Sequence, residues 1–333
     1  MREKISVDKV PPLKFAQHFC NEVLIKRDKN PEACWLLVEG PTDMQALQDH
    51  CKNSPCICKD CNGRNSVIAA VGLAEDPKQH NGKPLGGIIG LVDNDYCHLI
   101  PEKKLPSRVV MFEGVNDLES AVLFHRGPLI LSMLVRIKEW IASVDSDLDT
   151  DPWGFTNQKN PLGALVKNIV GPIGALRVAF QMMPSEYRLG KKSFSGKLDI
   201  ERSSIVERAW KHQNPSLQLT SEILSCLPSD ELVPERDDRH KLKNSIESHM
   251  ENVNKNPWSY VRGKDLVSTL AHALAFNQKV LIYNERNSSV RELDKEIQRL
   301  IPAVFDEEVL EYCRFKELVK EATRAEGGIY QYF

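Results

Sequence analysis

Four short apolar runs, separated by helix-like sequence and mostly ending in acidic or turn residues, constrain the fold of this chain most strongly. Ala33-Cys-Trp-Leu-Leu-Val38 runs into Glu39-Gly-Pro-Thr-Asp43, after which Met44, Leu47 and His50 follow at helical spacing. Ser66-Val-Ile-Ala-Ala-Val71 ends in Gly72, and Gly87-Ile-Ile-Gly-Leu-Val92 ends in Asp93-Asn-Asp95. Arg108-Val-Val-Met-Phe112 precedes Glu113 and then a helical segment from Asp117 to Phe124. Strands that are apolar on both faces and alternate with helices predict a parallel sheet covered on both sides. Pro41 fits the opening turn of a helix, where its missing N–H would have no partner anyway.

The second half reads differently. Apolar residues recur at helical spacing from Pro128 to Val144, and Ser143-Val-Asp-Ser-Asp-Leu-Asp-Thr-Asp-Pro152 then breaks the pattern. The alternating aspartates do not make a calcium loop, because the sixth position is Thr150 rather than Gly and the twelfth is Thr156 rather than Glu. A solvated linker is the better reading. The expected organisation is an α/β domain over 1–144, carrying a cysteine-rich insertion at 50–63, and a mainly helical domain over 153–333 for substrate, dimer or partner contacts. Helical spacing covers Leu162–Ala179, Ile200–His212, Arg239–Asn254, Gly263–Phe276, Ser289–Ile301 and Glu307–Glu326, with one strand-like run at Lys279–Tyr283.

Composition narrows the function classes. With 41% hydrophobic and 27% charged residues the chain is neither disordered, collagenous nor a coiled coil. A formal charge of −2 means that any nucleic-acid site would use local patches or bound cations rather than bulk charge. Apolar runs such as Leu129–Leu134 fall short of the ~18 residues of a membrane span, and Met1-Arg-Glu-Lys-Ile5 is not an apolar leader. The expected location is cytoplasmic, with no membrane partner. No G-x-x-x-x-G-K-[ST] motif is present, so any nucleotide-driven step would belong to a partner.

In an open parallel sheet the chemistry sits beyond the carboxyl ends of the strands. Glu39 follows the first predicted strand, Asp93 and Asp95 follow the third, and Asp117 and Glu119 open the helix after the fourth. In extended geometry Asp93 and Asp95 would point to one side and could share a divalent cation. Singly, each acid has a plainer role: Asp117 as a helix cap, Asp95 as a turn residue, Glu39 as a solvated side chain. Their joint placement favours a magnesium cradle.

Glu39-Gly after one strand and Asp93-x-Asp95 after another resemble the Toprim domain of topoisomerases, DnaG-type primases and OLD-family nucleases. More narrowly, Val38-Glu-Gly-Pro-Thr-Asp43, Gly90-Leu-Val-Asp-Asn-Asp-Tyr96 and Asn116-Asp-Leu-Glu119 resemble the Toprim-like family that includes AriB, the effector of PARIS anti-phage systems. Val261-Arg-Gly-Lys-Asp-Leu266 is similar to a later element of that family. The resemblance implies a Toprim-like sheet and a metal-dependent endonuclease. Asp93, Asp95 and Glu119 would hold Mg²⁺ or Mn²⁺, with Asp117 a further ligand candidate. Glu39 would act as general base or acid and is itself a candidate Mg²⁺ ligand, Lys264 would approach a phosphate, and Asp43 would support the carboxylates. It further implies an RNA substrate, with tRNA preferred, and toxicity released when a phage protein triggers an associated ABC/OLD-type, AriA-like ATPase. A homodimer stays open. A DNA-nicking or processing nuclease is the alternative enzyme, and a non-catalytic module recognising a phage protein or the ATPase is the alternative of another class.

Nine cysteines include four in the stretch His50-Cys51-x4-Cys56-Ile-Cys58-Lys-Asp-Cys61, where crowding in a cytosolic protein suggests metal before disulfide. Structural zinc on Cys51, Cys56, Cys58 and Cys61 is one reading. Free thiols and a redox pair are the others. Tyr187-Arg-Leu-Gly-Lys-Lys-Ser-Phe-Ser-Gly-Lys197 mixes basic and aromatic residues as a nucleic-acid contact would, or as a solvated loop would.

Overall fold

A computed structural model describes residues 11–51, 55–80, 83–97, 99–100, 105–141, 161–183, 236–276, 283–312 and 314–322. The expected linker at 145–152, the basic loop 187–197, the helix 200–212 and the strand-like run 279–282 lie outside these residues. By contacts the chain divides into two units. One comprises Met1–Asn94, Glu102–Glu113 and Phe305–Phe333; the other comprises Asp95–Pro101 and Gly114–Val304. The chain passes between them at 94/95, 101/102, 113/114 and 304/305.

The first unit holds a four-stranded parallel sheet flanked by helices, the α/β architecture expected. Its elements are α1 (Pro12–Lys29), β1 (Cys34–Val38), α2 (Pro41–Cys51), β2 (Cys56–Asp60), α3 (Arg64–Glu75), β3 (Ile88–Val92) and β4 (Val109–Met111). Strand order is β2-β1-β3-β4. Trp35 pairs with Ile57 on one side and Ile88 on the other, which fixes the register of β1 with both of its neighbours. β1 and β3 are buried along their whole length, as strands covered on both faces must be. Trp35, Leu37, Ile88 and Val92 pack with Phe19 and Val23 of α1 and Val67 and Val71 of α3.

One predicted strand is a helix. Residues 66–71 lie inside α3, where Val67, Ala70, Val71 and Ala74 repeat at helical spacing and are buried. The alanines that read as part of an apolar run belong to a helix face, for which alanine is well suited. The missing strand is β2, Cys56-Ile-Cys-Lys-Asp60, inside the segment expected to be an insertion. β2 is an edge strand of mixed burial, and its short Cys/Lys/Asp sequence carries little apolar signal.

At the far end of the first unit, α10 (Glu307–Tyr312) and α11 (Phe315–Ala322) replace one expected helix over 307–326. Arg314, at φ 52°, breaks the helical path between them. Phe315 packs against Phe112 just beyond β4.

The second unit is helical. It contains α4 (Leu118–Ile141), α5 (Pro161–Leu165), α6 (Gly171–Gln181), α7 (Arg236–Lys255), α8 (Gly263–Phe276) and α9 (Tyr283–Val304). The two segments expected from 117 to 144 form the single helix α4, with Pro128 inside it. A π-helical turn over Val166–Val170 joins α5 to α6. Leu162–Gln181 has mean hydropathy 1.3 and is long and apolar enough to cross a membrane by composition, but 78% of it is buried within the protein. Gly174 permits close backbone packing, since a Cβ there would meet the Tyr260 carbonyl carbon at 2.7 Å.

Candidate active site

In the order β2-β1-β3-β4 the chain leaves β1 in one direction and returns to pair β3 on its other side, so the topological switch lies between β1 and β3. Ligands of open parallel sheets bind at the carboxyl ends of the strands beside such a switch. Glu39 directly follows β1 and Asp93 directly follows β3. Their register makes them neighbours: Glu39 Oε1 accepts the Asp93 backbone N–H at 2.9 Å. Both side chains are half-buried.

The backbone around this pair is tied down. Gly63, preceding α3, donates its N–H to the Glu39 carbonyl at 2.6 Å. Arg64, the first residue of α3, donates its guanidinium to the Asp93 carbonyl. A cation is thereby held at the backbone just past the carboxyl end of β3. The sequence reading missed Arg64 because it took the following residues for a strand. The turn signal Asn62-Gly63 before it, with φ values of 56° and 113°, marks a helix start. Asp43 accepts the Gly40 N–H at 3.0 Å, holding the turn that carries Glu39 into α2.

Asp95 does not continue an extended strand. Asp95 and Tyr96 have φ values of 44° and 68°, both in the left-handed region. The expectation that Asp93 and Asp95 point to one side from extended backbone therefore fails. The chain turns there, and the half-turn alternation of a strand no longer applies. Asp95 is exposed, while Tyr96 is buried. The Tyr96 N–H is received by Asn116 Oδ1 at 2.9 Å, which secures the strained turn.

In the second unit the Asn116-Asp-Leu-Glu119 motif meets the Arg262-Gly-Lys-Asp265 motif. Asp117 and Ser120 form a reciprocal cap on α4: Ser120 N–H donates to Asp117 Oδ1 at 2.8 Å, and Asp117 N–H donates to Ser120 Oγ at 3.2 Å. The other oxygen, Oδ2, accepts the Gly263 N–H at 2.7 Å. Burial raises the Asp117 carboxyl pKa, while the bonds from Ser120 and Gly263 pull it down. Asn116 donates to the carbonyls of Ser259 at 3.2 Å and Val261 at 2.7 Å.

These bonds bring α8 against the first turn of α4. A Cβ on Gly263 would overlap the Glu119 Cβ and lie 2.5 Å from Asp117 Oδ1, so only glycine permits the approach. Glu119 is half-buried and Lys264 exposed, both at this meeting of helix starts. Behind them Arg177 of α6 grips Asp265 with Nε to Oδ2 at 2.8 Å and Nη2 to Oδ1 at 2.9 Å, both side chains being almost wholly buried. That bidentate pair fixes the opening of α8 from below.

Carboxylate oxygens are the donors that Mg²⁺ prefers; Glu39 and Asp93 offer them in the first unit, and Asp95 and Glu119 offer them in the second. Asp117 differs, since both of its oxygens already receive backbone N–H groups. Among the described residues, no group of three or more His, Cys, Asp or Glu side chains is arranged around a single metal position. The chain matches no protein-family model, no curated protein and no solved structure.

Proposed function

We propose that this protein is a Mg²⁺-dependent, Toprim-like endonuclease, a toxic effector of cytoplasmic anti-phage defence that cleaves tRNA and is held inactive by an ABC/OLD-type partner ATPase. One observation carries the enzymatic part: Glu39 and Asp93 end the two strands that flank the switch point and are joined by a hydrogen bond. The preference for RNA, the ATPase and the phage trigger rest on the motif resemblance.

Phosphodiester hydrolysis needs a proton taken from the attacking water, charge on the phosphate neutralised, and a proton returned to the leaving oxygen as the P–O bond breaks. Glu39 is suited to the proton transfers, being half-buried at the strand end with its Oε1 fixed by Asp93. Magnesium, when bound, would supply the charge neutralisation. Asp93, Asp95 and Glu119 are its proposed ligands, and Asp117 takes a lower rank because its oxygens cap α4 and hold Gly263. Lys264 offers an exposed ammonium at the start of α8 for a phosphate contact.

Induced expression followed by sequencing of cellular RNA ends is the test. Discrete tRNA breaks that disappear in a folded Glu39→Ala variant are the expected result. Breaks confined to DNA would select the alternative nuclease. Toxicity without any nucleic-acid cleavage, unchanged by the substitution, would overturn the enzymatic reading in favour of a binding module.

A further inference from the structure

The fold sorts the cysteines differently from their order in the chain. Cys34 of β1 and Cys56 of β2 are direct partners in the parallel register. Alternate strand residues share a face, so Cys56 and Cys58 lie on the same side of β2 as Cys34 lies on β1. The opposite face presents Trp35, Leu37 and Ile57 to α1 and α3. Cys51 ends α2, which packs on β2, and its Sγ stands 3.6 Å from Cys56 Sγ. Cys56 interacts through its side chain with both Cys34 and Cys51, while Cys58 is hydrogen-bonded to Cys51 and has weaker, purely electrostatic interactions with Asp43 and Cys61.

Cys61 is placed elsewhere. It lies past the end of β2, fully buried in the core cluster with α1 and α3, with its thiol directed at the Lys59 carbonyl at 3.7 Å. The four thiols on the α2 face are therefore Cys34, Cys51, Cys56 and Cys58, rather than the quartet closest together in sequence; as they stand they do not surround one metal position, so binding an ion requires their side chains to turn toward it.

We propose that Cys34, Cys51, Cys56 and Cys58 form one structural Zn²⁺ site on the α2 face of the sheet, and that Cys61 is not a ligand. In a tetrahedral thiolate site with Zn–S near 2.3 Å, neighbouring sulfurs stand about 3.8 Å apart. The 3.6 Å Cys51–Cys56 separation is close to that edge and well beyond the ~2.05 Å of a disulfide. Adjacent strands lie about 4.8 Å apart, so the paired Cys34 and Cys56 can reach one ion by side-chain rotation without moving the sheet. On binding, four S–H bonds lose their protons to solvent and four Zn–S bonds form; no oxidant takes part.

Coordination would staple the end of α2 and the edge strand β2 to β1, the strand that leads into Glu39. The inference does not depend on the nuclease reading.

The test uses the full chain, stripped with chelator, refolded and then titrated with zinc sulfate. Expected are one Zn²⁺ per chain by elemental analysis and zinc-dependent protection from alkylation at Cys34, Cys51, Cys56 and Cys58, with Cys61 unchanged by the metal. Cys34→Ser should lose the bound zinc and Cys61→Ser should keep it. Should either variant fail to fold, the alkylation map of the parent protein still decides. A folded parent that takes up no zinc, or zinc protection of Cys61 without Cys34, overturns the proposal.

Discussion

Glu39 Oε1 accepts the backbone N–H of Asp93 at 2.9 Å, linking the residues that end two adjacent parallel strands. The bond ties a candidate proton-transfer carboxylate to the backbone of a candidate metal ligand. Glu39→Gln preserves an acceptor for that N–H and removes the base. Cleavage of total tRNA should be lost in Glu39→Gln and in Asp93→Ala, with melting in chelator near the parent value. Glu39→Ala should melt slightly lower, since losing the acceptor costs roughly 1 kcal/mol, partly offset by relief of carboxylate repulsion. Full activity in folded Glu39→Gln would remove Glu39 from the chemistry.

Gly263→Ala should destabilise the protein by roughly 1–3 kcal/mol, because the new methyl group meets Asp117 Oδ1 and the first turn of α4. Chemical denaturation would measure it. A neutral effect would mean that the two helix starts separate easily, and the Asp117–Gly263 bond would then be of little consequence.

Breaking the Arg177–Asp265 pair from one side should be among the most damaging single changes. Arg177→Met leaves the Asp265 carboxylate buried without its bidentate partner, a loss on the order of 3–5 kcal/mol. Replacing both residues by apolar ones of similar size should recover much of it, and a double-mutant cycle on urea midpoints tests that recovery.

His249 gives stability a pH dependence. Its Nδ1 lies 3.0 Å from the Tyr260 hydroxyl, and burial lowers its pKa, favouring the neutral ring in the folded state. The folded protein thus binds this proton less readily than the unfolded chain does. Stability from His249 is present above the unfolded pKa of about 6.5 and falls as pH drops through it. Melting temperature followed from pH 8 to pH 5 should decline less steeply in His249→Gln than in the parent. Equal slopes would assign the acid sensitivity to other groups.

Lys264→Ala should slow cleavage with little change in melting, because the ammonium is exposed and contributes almost nothing to the core. The measurement is the rate at saturating Mg²⁺. Rates equal to the parent would leave Lys264 an ordinary surface residue.

Much of the first unit was legible in the chain because its central strands are buried on both faces. β1, β3 and β4 therefore read directly as apolar runs. The acidic residues that close β1 and β3 were equally plain. β2 was not, because an edge strand needs no apolar sequence, whereas the alanine- and valine-rich face of α3 imitates one. The Asp93–Asp95 spacing misled for a related reason: strand alternation ends where φ turns positive, and nothing in Asp-Asn-Asp-Tyr announces that turn.

Sequence alone determined the parallel α/β character of the first unit, the helices around Leu162–Gln181, Arg236–Lys255 and Gly263–Phe276, and the carboxylates worth testing. Local periodicity carries that information, since each pattern is written within one element. Tertiary structure alone decided which residues meet: Gly263 with Asp117, Arg177 with Asp265, and Cys34 in place of Cys61 beside the other thiols. Those pairings join positions far apart in the chain or divided between faces of a sheet. They are set by strand order, register and helix docking, which no local pattern encodes.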